Sequence, residues 1–364
     1  MEFGGGERVF TQIINGLPLN QYELYIASRL QDSFCRAVSQ TPMKLYPIDF
    51  SNRYNPAILL KLIKIIKDNQ IAIVHGQGAR AEFFARLASG LLCRTRYVST
   101  VAMPVEGYDV GPMKMLLYKA FDRFSERFVD RFLVVSSVLE EAMIHGHGIP
   151  REKVVKIYNG VETDHYKPHN QEVGRRRIRR EYSVNESEIL IGSLGRLVWQ
   201  KGFEYFLQSI PALIRDIPKV RFMLVGEGPL RQELERLAMS LGIRDRLVLT
   251  GYHSDIRDMM AAMDVVVIPS VLEGFPMITL EAMAMEKPIV ATRIDGITEQ
   301  IMDGREGILV PPRNTANLSQ AIIKIVSNPN MAFTLGKAAR RRVTTEFSVQ
   351  QMIKATIHVY EGLL

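Results

Sequence analysis

Four side chains in the second half of the chain are placed to handle a charged, hydroxyl-rich ligand: Glu273, Glu281, Arg196 and Lys201. The glutamates frame the stretch Ser270-Val271-Leu272-Glu273-Gly274-Phe275-Pro276-Met277-Ile278-Thr279-Leu280-Glu281. An apolar run ends at Pro269, a glycine turn follows, and Pro276 suits the first position of a helix, where its missing N–H is not needed. The free amides around Met277, Ile278 and Thr279 would then form an anion site. Glu281 falls five residues beyond Pro276, roughly 7–8 Å along a helix axis. Two carboxylates cannot both serve phosphate, because like charges repel. They suit hydroxyls on either side of it, a ribose and a sugar. From spacing alone, a dipole pairing for Glu273 and a solvated Glu281 account for the segment equally well.

The cations stand in Gly192-Ser193-Leu194-Gly195-Arg196-Leu197-Val198-Trp199-Gln200-Lys201-Gly202, where an apolar run turns at glycine into the next helix. Arginine grips phosphate oxygens with a planar fork and lysine supplies a compact charge, so the pair fits a diphosphate without a metal ion. A basic loop after a strand is usually just solvated, and its chemical fit with the two glutamates favours the phosphate reading. Val225-Gly226-Glu227-Gly228-Pro229 invites a dinucleotide reading. It lacks the third glycine and the following acidic residue, and a tight strand-to-helix turn fits better.

These residues need strands to carry them. Nearly continuous apolar runs predict strands at 22–27, 71–75, 97–101, 132–136 and 154–158, then at 189–194, 220–225, 247–250, 265–269, 288–291 and 307–310. Helical patterns fall between them. Residues 55–68 have Ile58, Leu59, Leu62, Ile65 and Ile66 on one face and Lys61, Lys64 and Lys67 opposite, a stripe more typical of a solvent face than of a membrane patch. The alternation occurs twice, which predicts an α/β chain of two Rossmann-like, doubly wound parallel-sheet domains facing each other across a cleft. The expected boundaries are 1–165, 166–345 and a last helix over 346–364. There is an echo between the halves: Val135-Ser136-Ser137-Val138-Leu139-Glu140 resembles Ile268-Pro269-Ser270-Val271-Leu272-Glu273, after strands opened by Asp130 and Asp264.

A chain of 364 residues, 23% charged and 47% hydrophobic, excludes disordered, collagenous and disulfide-scaffold classes. Cys35 and Cys93 cannot build a disulfide framework or a zinc site, and a reducing cytoplasm fits best. No apolar run reaches a membrane span, and no signal peptide is visible. The net charge of +7 is spread, with 20 basic and 17 acidic residues in 1–165 and 26 and 22 in the remainder, so nucleic acid is not the expected partner. Arg175, Arg176, Arg177, Arg179, Arg180 and Arg340, Arg341, Arg342 read as solvated helix faces, with weak attraction to an anionic substrate or peripheral membrane surface as the alternative.

Together, Arg196 with Lys201, Gly226-Glu227-Gly228-Pro229, and Glu273-Gly274-Phe275-Pro276 through Glu281 resemble the donor-binding domain of retaining glycosyltransferases of family 4, with GT-B architecture. Lys287-Pro288-Ile289-Val290-Ala291, Asp295-Gly296-Ile297 with Glu299, and Gly307-Ile308-Leu309-Val310-Pro311 add to the likeness, which covers 189–345. Gly4-Gly5-Gly6-Glu7-Arg8, Ile73-Val74-His75 and Asn159-Gly160-Val161 are looser landmarks. The resemblance implies Arg196 and Lys201 on a donor diphosphate, Glu281 on the ribose, and Glu273 on the transferred sugar. It implies contacts from Gly195 and from Gly274, Phe275, Pro276, Met277 and Ile278, with Tyr252 and His253 near the base and Gly5 and Gly6 near the phosphates. It implies no metal and no resident cofactor: the nucleotide sugar is the substrate. UDP-sugars are the expected donors, GDP-mannose next, with glycans or lipid-linked glycans of the cell envelope as acceptors.

Two departures stand out. Where the family carries a histidine after the third predicted strand, Ala102 stands here, leaving His75, Glu106 and Asp109 as acceptor-side candidates. A catalytically impaired sugar-nucleotide-binding homologue and a GT-B epimerase are the competing readings. Only Met1, Glu2 and Phe3 precede Gly4, so the first strand of the N-terminal domain is expected to be missing or truncated, with Met1 an internal methionine of a slightly longer protein.

Overall fold

Runs such as Val265-Val266-Val267-Ile268 have no polar face, so each becomes stable only as a strand covered by helices on both sides. A computed structural model, which describes residues 4–29, 34, 37–38, 41–50, 55–103, 120, 122–168, 171–253 and 255–364, shows twelve strands. They are β1 (Tyr25–Ser28), β2 (Lys44–Pro47), β3 (Ile73–Gln77), β4 (Arg96–Val101), β5 (Arg131–Val134), β6 (Val154–Lys156), β7 (Ile189–Leu194), β8 (Val220–Val225), β9 (Leu247–Gly251), β10 (Val265–Ile268), β11 (Ile289–Thr292) and β12 (Ile308–Val310). The helices that bear on function are α1 (Gly5–Gly16), α2 (Pro56–Asp68), α3 (Gln171–Glu181), α4 (Phe203–Asp216), α5 (Arg257–Ala262), α6 (Met277–Ala284), α7 (Thr315–Val326), α8 (Pro329–Glu346) and α9 (Val349–Glu361). Among the described residues no helix is long and apolar enough to cross a membrane.

The chain forms two units, Met1–Asn159 with Val349–Leu364, and Gly160–Ser348. The second holds one parallel sheet in the order β12-β11-β10-β7-β8-β9. The chain starts at β7, steps outward through β8 and β9, then returns to the other side of β7 with β10. Neighbouring crossovers therefore diverge between β7 and β10, and ligands of doubly wound sheets bind at the carboxyl ends beside such a point. The core holds this geometry: Phe203, Phe206, Leu207 and Ile210 of α4 pack on Ile191, Phe222 and Val265, and Leu318, Ile322 and Ile325 of α7 complete the layer.

In the first unit β3-β4-β5-β6 form one parallel sheet and β1-β2 a separate pair. Both pieces share their covering helices. Ala27 of β1 and Val74 of β3 pack on one cluster with Ile58, Leu62 and Ile66 of α2. On α1, Ile14 packs with Ile26 of β1 and Phe10 meets His75 of β3 edge-on. The expected stub of a first strand, residues 1–3, lies outside the described residues. The strand the sequence did not announce, β2, pairs only with β1 among the described residues, is mostly exposed and ends in Pro47, an edge without an apolar run.

The reading of the arginine clusters is corrected in part: Arg176, Arg177, Arg180 and Arg341 are exposed as expected, and Arg175, Arg179 and Arg340 are not. Arg179 is 1% exposed and donates to Asp264 at 2.6 Å and to the carbonyls of Ala262, Asn185 and Glu188. Arg175 joins it on Asp264 at 2.9 Å. The acceptors gather where α5 ends, and a helix carboxyl end favours cations. Arg340 likewise donates to the carbonyls of Thr163, Tyr166 and Ala284. These side chains hold the second unit together instead of facing water.

Candidate functional site

The carboxyl ends of β7, β8 and β9 are tied by backbone bonds: Gly195 N to Val225 O (2.9 Å), Leu197 N to Glu227 O (2.8 Å) and Gly226 N to Gly251 O (2.9 Å). Gly226 has φ +142°, and a side chain there would overlap the Gly195 carbonyl. Its glycine is spent on loop-to-loop packing, and the strand-to-helix turn expected at 225–231 is found. The loop after β7 then reaches β10. Gly202, at φ +60°, lies against the Pro269 carbonyl, and the amides of Val271 and Leu272 donate to the Gln200 carbonyl at 2.7 and 3.3 Å.

This junction brings Lys201 and Glu273 together across the divergence point. Lys201 Nζ donates to Glu273 Oε1 at 2.6 Å, and Ser270 Oγ donates to the same oxygen at 2.8 Å. Glu273 is 6% exposed, so an ionised carboxylate there needs both partners. The turn below is held by Thr292, whose hydroxyl donates to the Ser270 carbonyl, and by Gln300 Nε2 on the Pro276 carbonyl at 3.0 Å. Gly296 packs on the Gly274 carbonyl.

Pro276 is the cap of α6 and not its first residue. No side chain caps this end, so the amides of Met277, Ile278 and Thr279 have no intrahelical acceptor and carry the positive end of the helix dipole. Glu281, one turn on, is 2% exposed and accepts a hydrogen bond from Tyr166 Oη at 3.0 Å. The solvated alternative for Glu281 is thereby removed. Arg196 is exposed on the same loop as Lys201 and pairs with no carboxylate among the described residues. Tyr252 is exposed just past β9, and its neighbour His253 bonds Tyr182 at 3.1 Å.

In the first unit Gly5 and Gly6 open α1 instead of forming a turn, with the Glu7 carboxylate accepting from the Gly4 amide at 3.2 Å and Gly6 beside Gln77. His75 is held at both ring nitrogens, Nδ1 to Tyr360 Oη at 2.5 Å and Nε2 to Thr100 Oγ1 at 2.7 Å. Burial lowers its pKa from 6.5 to about 3, so the ring is neutral and one hydroxyl donates while the other accepts. That is a satisfied structural histidine. Ala102 follows β4, and Glu106 and Asp109 lie outside the described residues. Sequence reading missed Tyr166, Thr292, Gln300 and Tyr360 as supports. Ser270 stood in the highlighted segment, three residues before Glu273, and could have been found.

Residues 3–165 match a model of Glycosyltransferase Family 4, and residues 188–328 a model of Glycosyl transferases group 1. Alpha-D-kanosaminyltransferase of Streptomyces kanamyceticus is 28% identical over 230 residues, which span 63% of this chain and 59% of that protein, under two thirds of its length. UDP-Gal:alpha-D-GlcNAc-diphosphoundecaprenol alpha-1,3-galactosyltransferase of Escherichia coli is 24% identical over 83% of this chain and 78% of its own. Anabaena HepE, solved with UDP and glucose, superposes with a TM-score of 0.85 at 20% identity, covering 99% of this chain and 97% of that one. With one model on each half and this fold throughout, the chain belongs to the family 4, group 1 glycosyltransferases of GT-B architecture.

Proposed function

We propose that this protein transfers a sugar from a nucleoside diphosphate sugar to a hydroxyl group, with retention of configuration at the anomeric carbon. A UDP-sugar is the favoured donor and GDP-mannose the next; the acceptor is a glycan or lipid-linked glycan at the cytoplasmic face of the membrane. The observation that carries the reading is the pairing of Lys201 with Glu273 beside the uncapped start of α6, with Glu281 buried one turn along. HepE, which shares the fold, holds UDP and glucose, and the Escherichia coli relative is named for a UDP-galactose donor and a lipid diphosphate acceptor.

In this reading Arg196 and Lys201 grip the diphosphate, aided by the amides of Met277 and Ile278. Glu281 takes the ribose hydroxyls and Glu273 those of the sugar, flanked by Gly274, Phe275 and Pro276. Tyr252 borders the base, and Gly195 allows close backbone approach to the donor. As the acceptor oxygen bonds to the anomeric carbon, the bond to the diphosphate breaks, the hydroxyl proton passes to the departing diphosphate oxygen, and the cations and helix dipole offset the charge that leaves with it. These groups supply the countercharge with neither metal nor cofactor.

Thermal-shift titration with UDP-, GDP- and ADP-sugars, followed by transfer assays, tests the proposal. Stabilisation by one nucleotide class with transfer to an acceptor supports it; no stabilisation by any overturns it. One observation favours a second reading: Ala102 offers no polar group, and both nitrogens of His75 are engaged. A sugar-nucleotide-binding homologue without transferase activity would show stabilisation with neither transfer nor hydrolysis.

A further inference from the structure

Arg86 serves two carboxylates in the first unit, and a third stands near them without it. Its Nη2 meets Glu82 and its Nη1 meets Asp122, both at 2.5 Å. Glu126 lies one turn beyond Asp122 in the helical stretch 122–126 and is 4% exposed. Among the described residues its carboxylate meets no guanidinium or ammonium, and its hydrogen-bond partner is Nδ1 of His147. A carboxylate buried this deeply requires a countercharge, which a neutral imidazole does not supply. One potential ligand atom from each of Asp122, Glu126 and His147 lies within 4.8 Å of the other two. Arg123, between the two acids in sequence, donates to the carbonyls of Gly146 (2.6 Å) and His147. The third group is thereby tied to the helix that carries the other two.

We propose that Asp122, Glu126 and His147 bind a divalent transition metal ion, zinc being the fitting case, as a structural clip within the first unit. Ligands bonded at about 2.1 Å to one tetrahedral ion stand about 3.4 Å apart, so closing the trio takes shifts of about an ångström. Two carboxylates and an imidazole make a mixed oxygen and nitrogen set. That set suits zinc and disfavours calcium and magnesium, whose sites are built of oxygen. Three protein ligands leave the fourth position to water. Arg86 stays on Asp122 as an outer partner, since ligating carboxylates are themselves hydrogen-bonded. The charges fit as well. Among the described residues Arg86 is the one guanidinium in contact with any carboxylate of Glu82, Asp122 and Glu126, which leaves two negative charges. A dication balances both, whereas a proton on His147 balances one. None of these residues is in the donor site and the donor reading does not use the ion, so the proposal stands whether or not that reading does.

Equilibrium dialysis of the full, untagged chain against zinc chloride in excess magnesium, with bound metal measured by mass spectrometry, tests it. The chain should retain zinc at this site, and zinc should raise its thermal midpoint in a manner that a chelator reverses. Asp122→Asn and His147→Ala should each weaken zinc binding by more than about a hundredfold, beyond the loss caused by removing an outer partner. Glu126→Gln keeps the shape of the side chain and a hydrogen bond to His147, so it tests the site even if the other two variants unfold. It should keep the circular dichroism of the unsubstituted chain and lose the zinc-induced rise in midpoint. His145→Ala removes an exposed histidine outside the trio and should bind zinc as the unsubstituted chain does. Absence of zinc binding in the unsubstituted chain overturns the proposal and assigns the countercharge of Glu126 to a proton on His147. Binding that survives Glu126→Gln unaltered, or that is lost with His145→Ala, places the metal elsewhere and also overturns it.

Discussion

The two units use the same sequence template at corresponding strands and finish it differently. Asp130 opens β5 and takes the Tyr97 amide on its Oδ2 at 2.8 Å; Asp264 precedes β10 and takes the Leu190 amide on its Oδ2 at 2.8 Å. Each strand then runs into Ser-Val-Leu-Glu. In the first unit Ser136 caps a helix that starts at once, Ser137–Glu141, and among the described residues Glu140 pairs with the exposed Arg151 at 3.8 Å. In the second, Gly274-Phe275-Pro276 postpones the helix to Met277, which leaves Glu273 in an irregular turn where Lys201 and Ser270 hold it. A chemical site here is made by delaying a helix: the delay exposes helix amides and buries a carboxylate beside them.

That contrast is open to test, from large effects to small. Lys201→Met should abolish donor-induced stabilisation and lower transfer by about a thousandfold, the scale of losing a charged transition-state partner. Arg151→Met, its counterpart on Glu140, should alter neither; matching losses in both would dissolve the contrast. Glu281→Ala should weaken binding of the free nucleotide by about tenfold or more in calorimetry, whereas Glu273→Ala should act mainly on the sugar nucleotide. Equal effects on both ligands in the two variants would refute that division of labour.

In the first unit Tyr360→Phe should cost about 1–2 kcal/mol of unfolding free energy and leave nucleotide affinity unchanged. The His75 environment also predicts a pH dependence. Its folded pKa of about 3 lies below the ordinary 6.5, so the unfolded chain binds more protons between these values. Its stabilising contribution is full above 6.5 and declines as pH falls toward 3, by up to about 1.4 kcal/mol per unit. His75→Phe should flatten this slope in urea titrations taken across that window. The smallest effect expected is Tyr166→Phe, about threefold to tenfold in nucleotide affinity, because Glu281 keeps its position and loses one donor.

The strands of the second unit were legible to within a residue because each is a nearly continuous apolar run between helices: 189–194 and 220–225 coincide with β7 and β8. Strand β2 was not legible, since an exposed edge ending in proline has no apolar signature. The chemistry was legible as residue types and spacing in Lys201, Glu273 and the start of α6. The fate of Glu281 was not, because its burial depends on Tyr166, 115 positions away. Arg179 misled for the same reason: the Asp264 carboxylate and the carbonyls that claim it lie outside its own helix, and a local charge run reads as surface.

The first unit is discontinuous, and this orders events on the ribosome. Residues 160–348 form their unit from one unbroken stretch, whereas the other also takes in 349–364, which are synthesised after that stretch. Until α9 arrives, His75 has no Tyr360 hydroxyl and Gly16 has no Ile353 against it. The nascent chain can therefore complete the sheet of its second unit before α9 is available to the first.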